Sequence, residues 1–436
     1  MKVFLSLIIF FLGLLFLYTY NNSCFLFFLS VIWYIASILI IYLAFMLTKK
    51  YKFLQFNIKK IIMAIKSKSN NSISPMDSLC VSLAAKIGVG SLSGVALAIY
   101  FGGIGTIFWI IVISLFVSIN TYYECILGIK YRDNDNGKYV GGPSYYIRRC
   151  LLNKNLSLLY SILIIIIYSG LFLSIQANTI VSVTNNFNIN NILAIIILLM
   201  VVVVIVICGV GGVVKVNQII VPVMLLLYFC LGIYIFISNI DIMPRIFLNV
   251  FVDAFKLKSI IPVFLIGMQR AIFISESSLG TSAISASICD NHPHHQALIE
   301  VLGVYITIFL VCFTTFLIIV TSDYNLVGFN NLNGIEIVIY AFNYHFGEFG
   351  KIVLSIVTIM FAFSTIISSY FFGESNLKII SKKKIIGIFF KIGFVAILLI
   401  SCLVKANVLW NLTDYFVALL AIINVYSLIK INNKNK

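Results

Sequence analysis

Ala84-Ala85-Lys86-Ile87-Gly88-Val89-Gly90-Ser91-Leu92-Ser93-Gly94 sets three glycines within seven residues, inside an apolar run from Ser78 to Phe101. A helix in lipid must pair its own backbone N–H and C=O groups, because the hydrocarbon offers them nothing. A stretch that unwinds there survives only where protein, water or a ligand takes the freed groups, as in transporters built from discontinuous helices. The alternative is a packing role, since Gly90 and Gly94 form a G-x-x-x-G pair of the kind that lets membrane helices approach closely.

The chain around this stretch reads as an all-α polytopic membrane protein. Hydrophobic residues make up 61% of 436 and charged residues 10%, with a mean hydropathy of +1.10, which is more apolar content than one soluble core can hide. Twelve runs are long enough to cross a bilayer at roughly 17 to 25 residues each, the first from Val3 to Tyr20 and the last from Leu409 to Ile429. The first is open to reading as a signal peptide, but no small-x-small cleavage pattern follows it, and a retained hairpin with the run from Phe25 to Leu47 is the expectation.

A net charge of +16 admits a nucleic-acid partner, but its distribution argues against one. Seven lysines lie between Lys49 and Lys68, further groups surround Lys130 to Lys154 and Lys378 to Lys384, and Lys430, Lys434 and Lys436 close the chain. These are alternate loops, so the positive-inside rule puts both termini in the cytoplasm, and a basic face toward anionic lipid accounts for the charge without nucleic acid. The nine cysteines form no C-x-x-C pair and read as small buried hydrophobes. His292, His294 and His295 lack companion ligands at metal-binding spacing.

A second break stands five spans later, through Arg270-Ala271-Ile272-Phe273-Ile274-Ser275-Glu276-Ser277-Ser278-Leu279-Gly280. The charge rule starts one broken span inside and the other outside. Two five-span units of opposite orientation follow, with a site where the breaks meet. The expected divisions are 1–48, an N-terminal helical hairpin; 49–77, a basic cytoplasmic segment; 78–240 and 260–430, the two inverted repeats; 241–259, their extracellular connection; and 431–436, the tail. Lys86, Glu124, Arg270 and Glu276 lie at membrane depth, where charge is costly and commonly functional. Their simpler reading is internal pairing, for Lys86 with a carboxylate such as Glu276.

Gly88 to Ala96, Gly102-Gly103, Phe108-Trp109, Glu124, Lys130-Tyr131-Arg132, Gly141-Gly142-Pro143, Gln176-Ala177-Asn178, Gln269-Arg270, Ser275-Glu276, Leu279-Gly280, Phe361 to Thr365 and Trp410-Asn411-Leu412 with Asp414 together resemble the alanine or glycine:cation symporter family. The likeness runs from about Leu54 to Asn424. Departures fall at Ser91, Ile104, Thr307 and Ser278, where the family usually carries asparagine, proline, aspartate and glycine.

The resemblance implies a LeuT-type fold of five-plus-five spans with additional N-terminal helices, and a Na⁺-coupled carrier of a small neutral amino acid such as alanine or glycine in the cell membrane. Substrate carboxylate would meet backbone N–H groups around Gly88, Val89, Gly90 and Ser91, where the glycines leave room for close approach. The ammonium would meet Gln176 and carbonyls near Phe273. Na⁺, the expected coupling ion, would be held by the carbonyls of Ala84 and Ile87 with the hydroxyls of Ser364 and Thr365. No enzyme chemistry and no obligate protein partner is expected. Two alternatives stay open: coupling to protons or another cation, with Lys86 changing charge in place of sodium, and a transport-inactive sensor on the same scaffold.

Overall fold

The computed structural model describes residues 22–66, 73–135, 137–185, 191–257, 259–322, 334–402 and 406–434. These are helical but for one hairpin, β1 (Asp133–Asp135) and β2 (Lys138–Val140). In chain order the helices are α1 (Asn22–Lys50), α2 (Ile58–Ile65), α3 (Pro75–Lys86), α4 (Ser93–Gly102), α5 (Thr106–Lys130), α6 (Pro143–Cys150), α7 (Lys154–Ile166) and α8 (Leu173–Asn185). There follow α9 (Asn191–Ser238), α10 (Met243–Ala254), α11 (Ile260–Ser275), α12 (Thr281–Ala286), α13 (Pro293–Ile306), α14 (Phe313–Val320), α15 (Gly334–Ile380), α16 (Lys384–Ser401) and α17 (Ala406–Lys434). One π-helical turn, Ile167–Phe172, joins α7 to α8, and another, Thr307–Cys312, joins α13 to α14.

Among the described residues eight helices are long and apolar enough to cross a membrane, or nine with the bent pair α3 and α4 as one span. Large apolar side chains stay exposed along Ile38 and Phe45 of α1, Ile219, Leu226 and Ile237 of α9, and Ile388, Phe389 and Ile392 of α16. Such continuous apolar faces suit lipid and not water. The protein is a multi-pass membrane protein.

Nine differs from the expected twelve for three reasons. The run from Val3 to Tyr20 lies outside the described residues. The two spans expected on either side of Lys215 run together as α9, since Val214-Lys215-Val216 carries no turn-forming residue. The span expected from Ile260 to Ser287 divides into α11, of 16 residues, and α12, of 6, each below spanning length.

Both breaks have local causes. Ser74 caps α3: its hydroxyl accepts from Asp77 N–H at 3.1 Å and its N–H donates to the Asp77 carboxylate at 2.8 Å, with Pro75 in the first turn, a strong start signal. The helix ends at Ile87. Gly88 is extended, one 3₁₀ turn covers Val89–Ser91, and α4 leaves at 61° to α3. In the second break Glu276, Ser278 and Gly280 all take positive φ, at 51°, 75° and 91°. Against one another, α3 packs on α12 and α4 on α11. The first half of one broken span thus lies beside the second half of the other, so the two run antiparallel.

Two helices occupy connections expected to be loops. Within 241–259, α10 packs on the start of α5: the Asp253 carboxylate accepts from Gly105 N–H at 2.8 Å, and Ala254 C=O accepts from Trp109 Nε1 at 3.1 Å. The first part of α15 lies ahead of Gly347, whose φ of 60° kinks the helix, and Gly334 sits so close to Ser93 that an added methyl would lie 2.6 Å from Ser93 O.

Ser278 gives a test of backbone strain. Its φ of 75° costs an L-residue roughly 1–2 kcal/mol, and its hydroxyl accepts from Asn120 Nδ2 at 2.9 Å. Ser278→Gly and Ser278→Ala both lose that bond, but only glycine sheds the strain. Ser278→Gly should therefore be the more stable by about 1 kcal/mol after the added freedom of its unfolded chain is counted. Thermal unfolding in detergent compares them, and equal midpoints would remove the strain from the argument.

Candidate functional site

The first break gathers its neighbours around Gly88 and Gly90. A methyl on Gly88 would lie 2.6 Å from Thr365 Oγ1 and 2.9 Å from Gln176 Nε2, so α3, α8 and α15 converge on one residue without a side chain. Gln176 Oε1 accepts from Val89 N–H at 3.2 Å. Ser91 folds back, its hydroxyl donating to Gly88 C=O at 2.7 Å, while its own carbonyl accepts from Thr315 Oγ1 at 3.1 Å. The unwound stretch has little freedom left.

Phe273, near the end of α11, closes one side. A methyl on Gly90 would lie 2.5 Å from its ring. The ring stacks on Phe172 at 4.9 Å between centroids, Phe172 stacks on Tyr168 at 4.7 Å, and Trp410 lies 5.4 Å from Phe273. The π-turn places Tyr168 and Phe172 on this face together, a use such turns often have. Next to Trp410 a cleft of about 10 Å³, lined by Ser93, Asn178, Thr179 and Ile335 among others, has room for about one water. The site is closed on this side.

Of the four groups expected around a cation, the structure joins two. Thr365 Oγ1 lies 2.7 Å from Ala84 C=O and 2.8 Å from Phe361 C=O. Its proton can turn to Phe361, which leaves Ala84 C=O and the hydroxyl oxygen both facing a cation, and hard cations prefer such oxygens. Ser364 does not join them: its hydroxyl bonds Phe361 C=O at 3.0 Å and faces Met224 Sδ at 3.7 Å. Adjacent helical residues point about 100° apart, and here the two hydroxyls face different neighbours, Met224 and Ala84. The α15 hydroxyl that reaches α3 one turn along from Thr365 is that of Ser368, 3.2 Å from Val81 C=O and 3.0 Å from Asn217 Nδ2. Helical phase alone could have found it. Ile87 is buried beside the break, its N–H on Leu83 C=O.

The profile of the Sodium:alanine symporter family matches residues 19–435. The chain belongs to the sodium:alanine symporter family. Over 412 residues it is 29% identical to the amino-acid carrier protein AlsT of Bacillus subtilis, covering 92% of this chain and 88% of that one. It is 30% identical to the probable sodium/glutamine symporter GlnT of the same organism (87% and 82% covered), and 28% identical to the sodium/alanine symporter AgcS of Methanococcus maripaludis (83% and 82%). The family is one of transporters.

In this sodium:alanine symporter family member the intramembrane charges are held by partners that the sequence does not pair. Lys86 Nζ donates to Ser82 Oγ at 2.6 Å and lies 3.5 Å from Glu300 on α13, both side chains fully buried. Its partner is Glu300, not Glu276. Glu276 instead accepts from Tyr168 at 2.9 Å and Thr281 at 2.7 Å, which pins the second break to the π-turn. Arg270 pairs with Asp414 at 2.8 Å and 3.4 Å and lies near the Phe273 and Trp410 rings. Glu124 accepts from Asn424 at 3.1 Å; Asn424 also donates to Ser278 C=O at 2.8 Å and accepts from Tyr146. Internal ion pairing, the simpler reading of these residues, describes Lys86 and Arg270, while Glu124 and Glu276 are held by neutral hydrogen-bond donors. Glu300 is the functional candidate that the sequence reading passes over, although a lone carboxylate in an apolar run marks it. His294, one of the three clustered histidines, bonds the Tyr122 hydroxyl at 2.6 Å.

Proposed function

We propose that this chain is a secondary active symporter that moves a small neutral amino acid, alanine or glycine, into the cell with Na⁺ by alternating access. On this reading the scaffold is a LeuT-type pair of inverted five-span repeats with N-terminal helices added, about twelve spans in all, in the cell membrane with both termini cytoplasmic. The observation that carries it is the convergence of Gly88, Gln176 and Thr365 where two antiparallel broken spans meet.

The chemistry follows from what each group has to offer. Gln176 occupies Val89 N–H at 3.2 Å; an arriving carboxylate takes that donor, and the released amide carbonyl turns to the substrate ammonium. Gly88 and Gly90 bare the backbone to the carboxylate. The Phe273 ring, backed by Phe172 and Trp410, limits the substrate to a small side chain. Ala84 C=O and Thr365 Oγ1, with Ile87 nearby, would hold Na⁺, which supplies the inward driving force. Because α3 carries Ala84 and Val89 follows it, ion and substrate would order the same break, and each would favour the other's binding. Coupling to protons or another cation is the second reading, favoured by Lys86 lying in the same helical turn as Ala84.

Radiolabelled amino acid uptake into proteoliposomes under Na⁺, Li⁺, choline and pH gradients tests the proposal. Na⁺-driven accumulation of alanine or glycine is expected, and binding without flux would defeat it. Within that assay Thr365→Ala should raise the half-saturating Na⁺ concentration about tenfold, as expected for one lost oxygen contact of about 1.4 kcal/mol. Ser364→Ala should shift it far less. Equal loss of uptake at every Na⁺ concentration would make Thr365 a packing residue.

A further inference from the structure

On the face that the sequence assigns to the cytoplasm, far along the chain from both breaks, β1, β2, the end of α6, the start of α7 and the end of α15 enclose a cleft of about 530 Å³. That is the size range of small-molecule pockets, about 300–1,000 Å³. Arg148, Arg149, Lys154, Lys378 and Lys382 line it, with Asp133 and Asp135 as its acidic residues. The two acids are already committed. Asp133 pairs with Arg149, and Asp135 with Lys378 at 3.0 Å. Hydrogen bonding and charge from Lys378 hold the Asp135 carboxyl below its ordinary range, so it stays an anion for that partner.

Arg148, Lys154 and Lys382 remain, and form no ion pair among the described residues. They come from three separate elements, so an anion seated among them touches all three. The cleft lies where α7 begins and α15 ends, two helices long and apolar enough to cross a membrane, and the ends of such spans are where lipid headgroups lie. Basic pockets between spans at that level bind phosphate-bearing headgroups.

We propose that this cleft is a binding site for a phosphate-bearing anion, held by Arg148, Lys154 and Lys382 and supplied by an anionic phospholipid headgroup or a soluble phosphate compound. Its position gives the ligand leverage on transport. Lys154 opens the helix that continues to Gln176, and Lys382 follows the helix that carries Thr365. An anion bridging the two ties together the ends of helices whose other parts meet at Gly88.

Arg148→Gln/Lys154→Gln/Lys382→Gln in the full chain tests the site, with Lys59→Gln/Lys60→Gln/Lys430→Gln as a control of equal charge. Native mass spectrometry reads phosphatidylglycerol retained in detergent, and thermal unfolding reads stabilisation by inorganic pyrophosphate. The wild type and control should bind one of these probes at least tenfold more tightly than the cleft variant. A preference confined to phosphatidylglycerol identifies the lipid source, and one that includes pyrophosphate the soluble source. Equal binding of both probes by wild type and cleft variant, or an equal loss in the control, overturns the proposal. Neither measurement involves flux, so its failure leaves the carrier reading untouched.

Discussion

Gly88→Val should reduce amino acid uptake by about 100-fold, the loss that a displacement of about 1 Å in a positioned site can produce, while the protein still reaches the membrane. Gly88 is extended, with φ −105° and ψ −167°, so its backbone suits any residue. What forbids a side chain is the company: Thr365 Oγ1 at 2.6 Å, Gln176 Nε2 at 2.9 Å and Thr365 Cγ2 at 3.2 Å from an added methyl. Each of these is buried and assigned a role, so none can retreat without taking ion or substrate contacts with it. Gly90→Val should act alike by pushing on Phe273, whose ring is confined by Phe172 and Trp410. Uptake normalised to membrane-inserted protein is the measurement. Normal uptake by Gly88→Val would detach the first break from the site.

The second large effect is expected at Lys86. Removing one member of a fully buried ion pair leaves the other uncompensated, a cost of about 3–5 kcal/mol, so Lys86→Ala should sharply lower the thermal midpoint by stranding Glu300. Replacing both with apolar residues of similar volume, Lys86→Met/Glu300→Leu, should recover most of the loss. The same double variant bears on coupling. With a purely structural pair it retains sodium-driven uptake and the wild-type pH profile. If it folds but no longer accumulates substrate, and the wild type accumulates substrate under a proton gradient without sodium, Lys86 belongs to the coupling machinery.

Both predictions rest on residues visible in the sequence, but their partners were not. A glycine cluster at membrane depth, a second break with charge beside it, and the alternation of basic loops are local patterns, and lipid makes them legible because it penalises every unpaired backbone group and charge. They sufficed for the polytopic helical class and for the placing of both breaks, whereas Gln176, Phe273 and Thr365 were set beside Gly88 only through the family resemblance. The span count was less secure, since apolarity marks where a helix can cross but not whether two runs join, as α9 shows, or a break divides one, as between α11 and α12.

Pairing belonged to the tertiary structure. Lys86 and Glu300 are 214 residues apart and Arg270 and Asp414 144; which carboxylate meets which cation depends on how α3, α11, α13 and α17 pack, and no local spacing encodes that. Ser364 and Thr365 look equivalent as neighbours in the chain, but the rotation of α15 against α3 sends one to Met224 and the other to Ala84. The sequence by itself determined that helices break and that charges are buried, because those follow from transfer into lipid residue by residue. Only the packing of distant helices decided what each freed group and each charge touches.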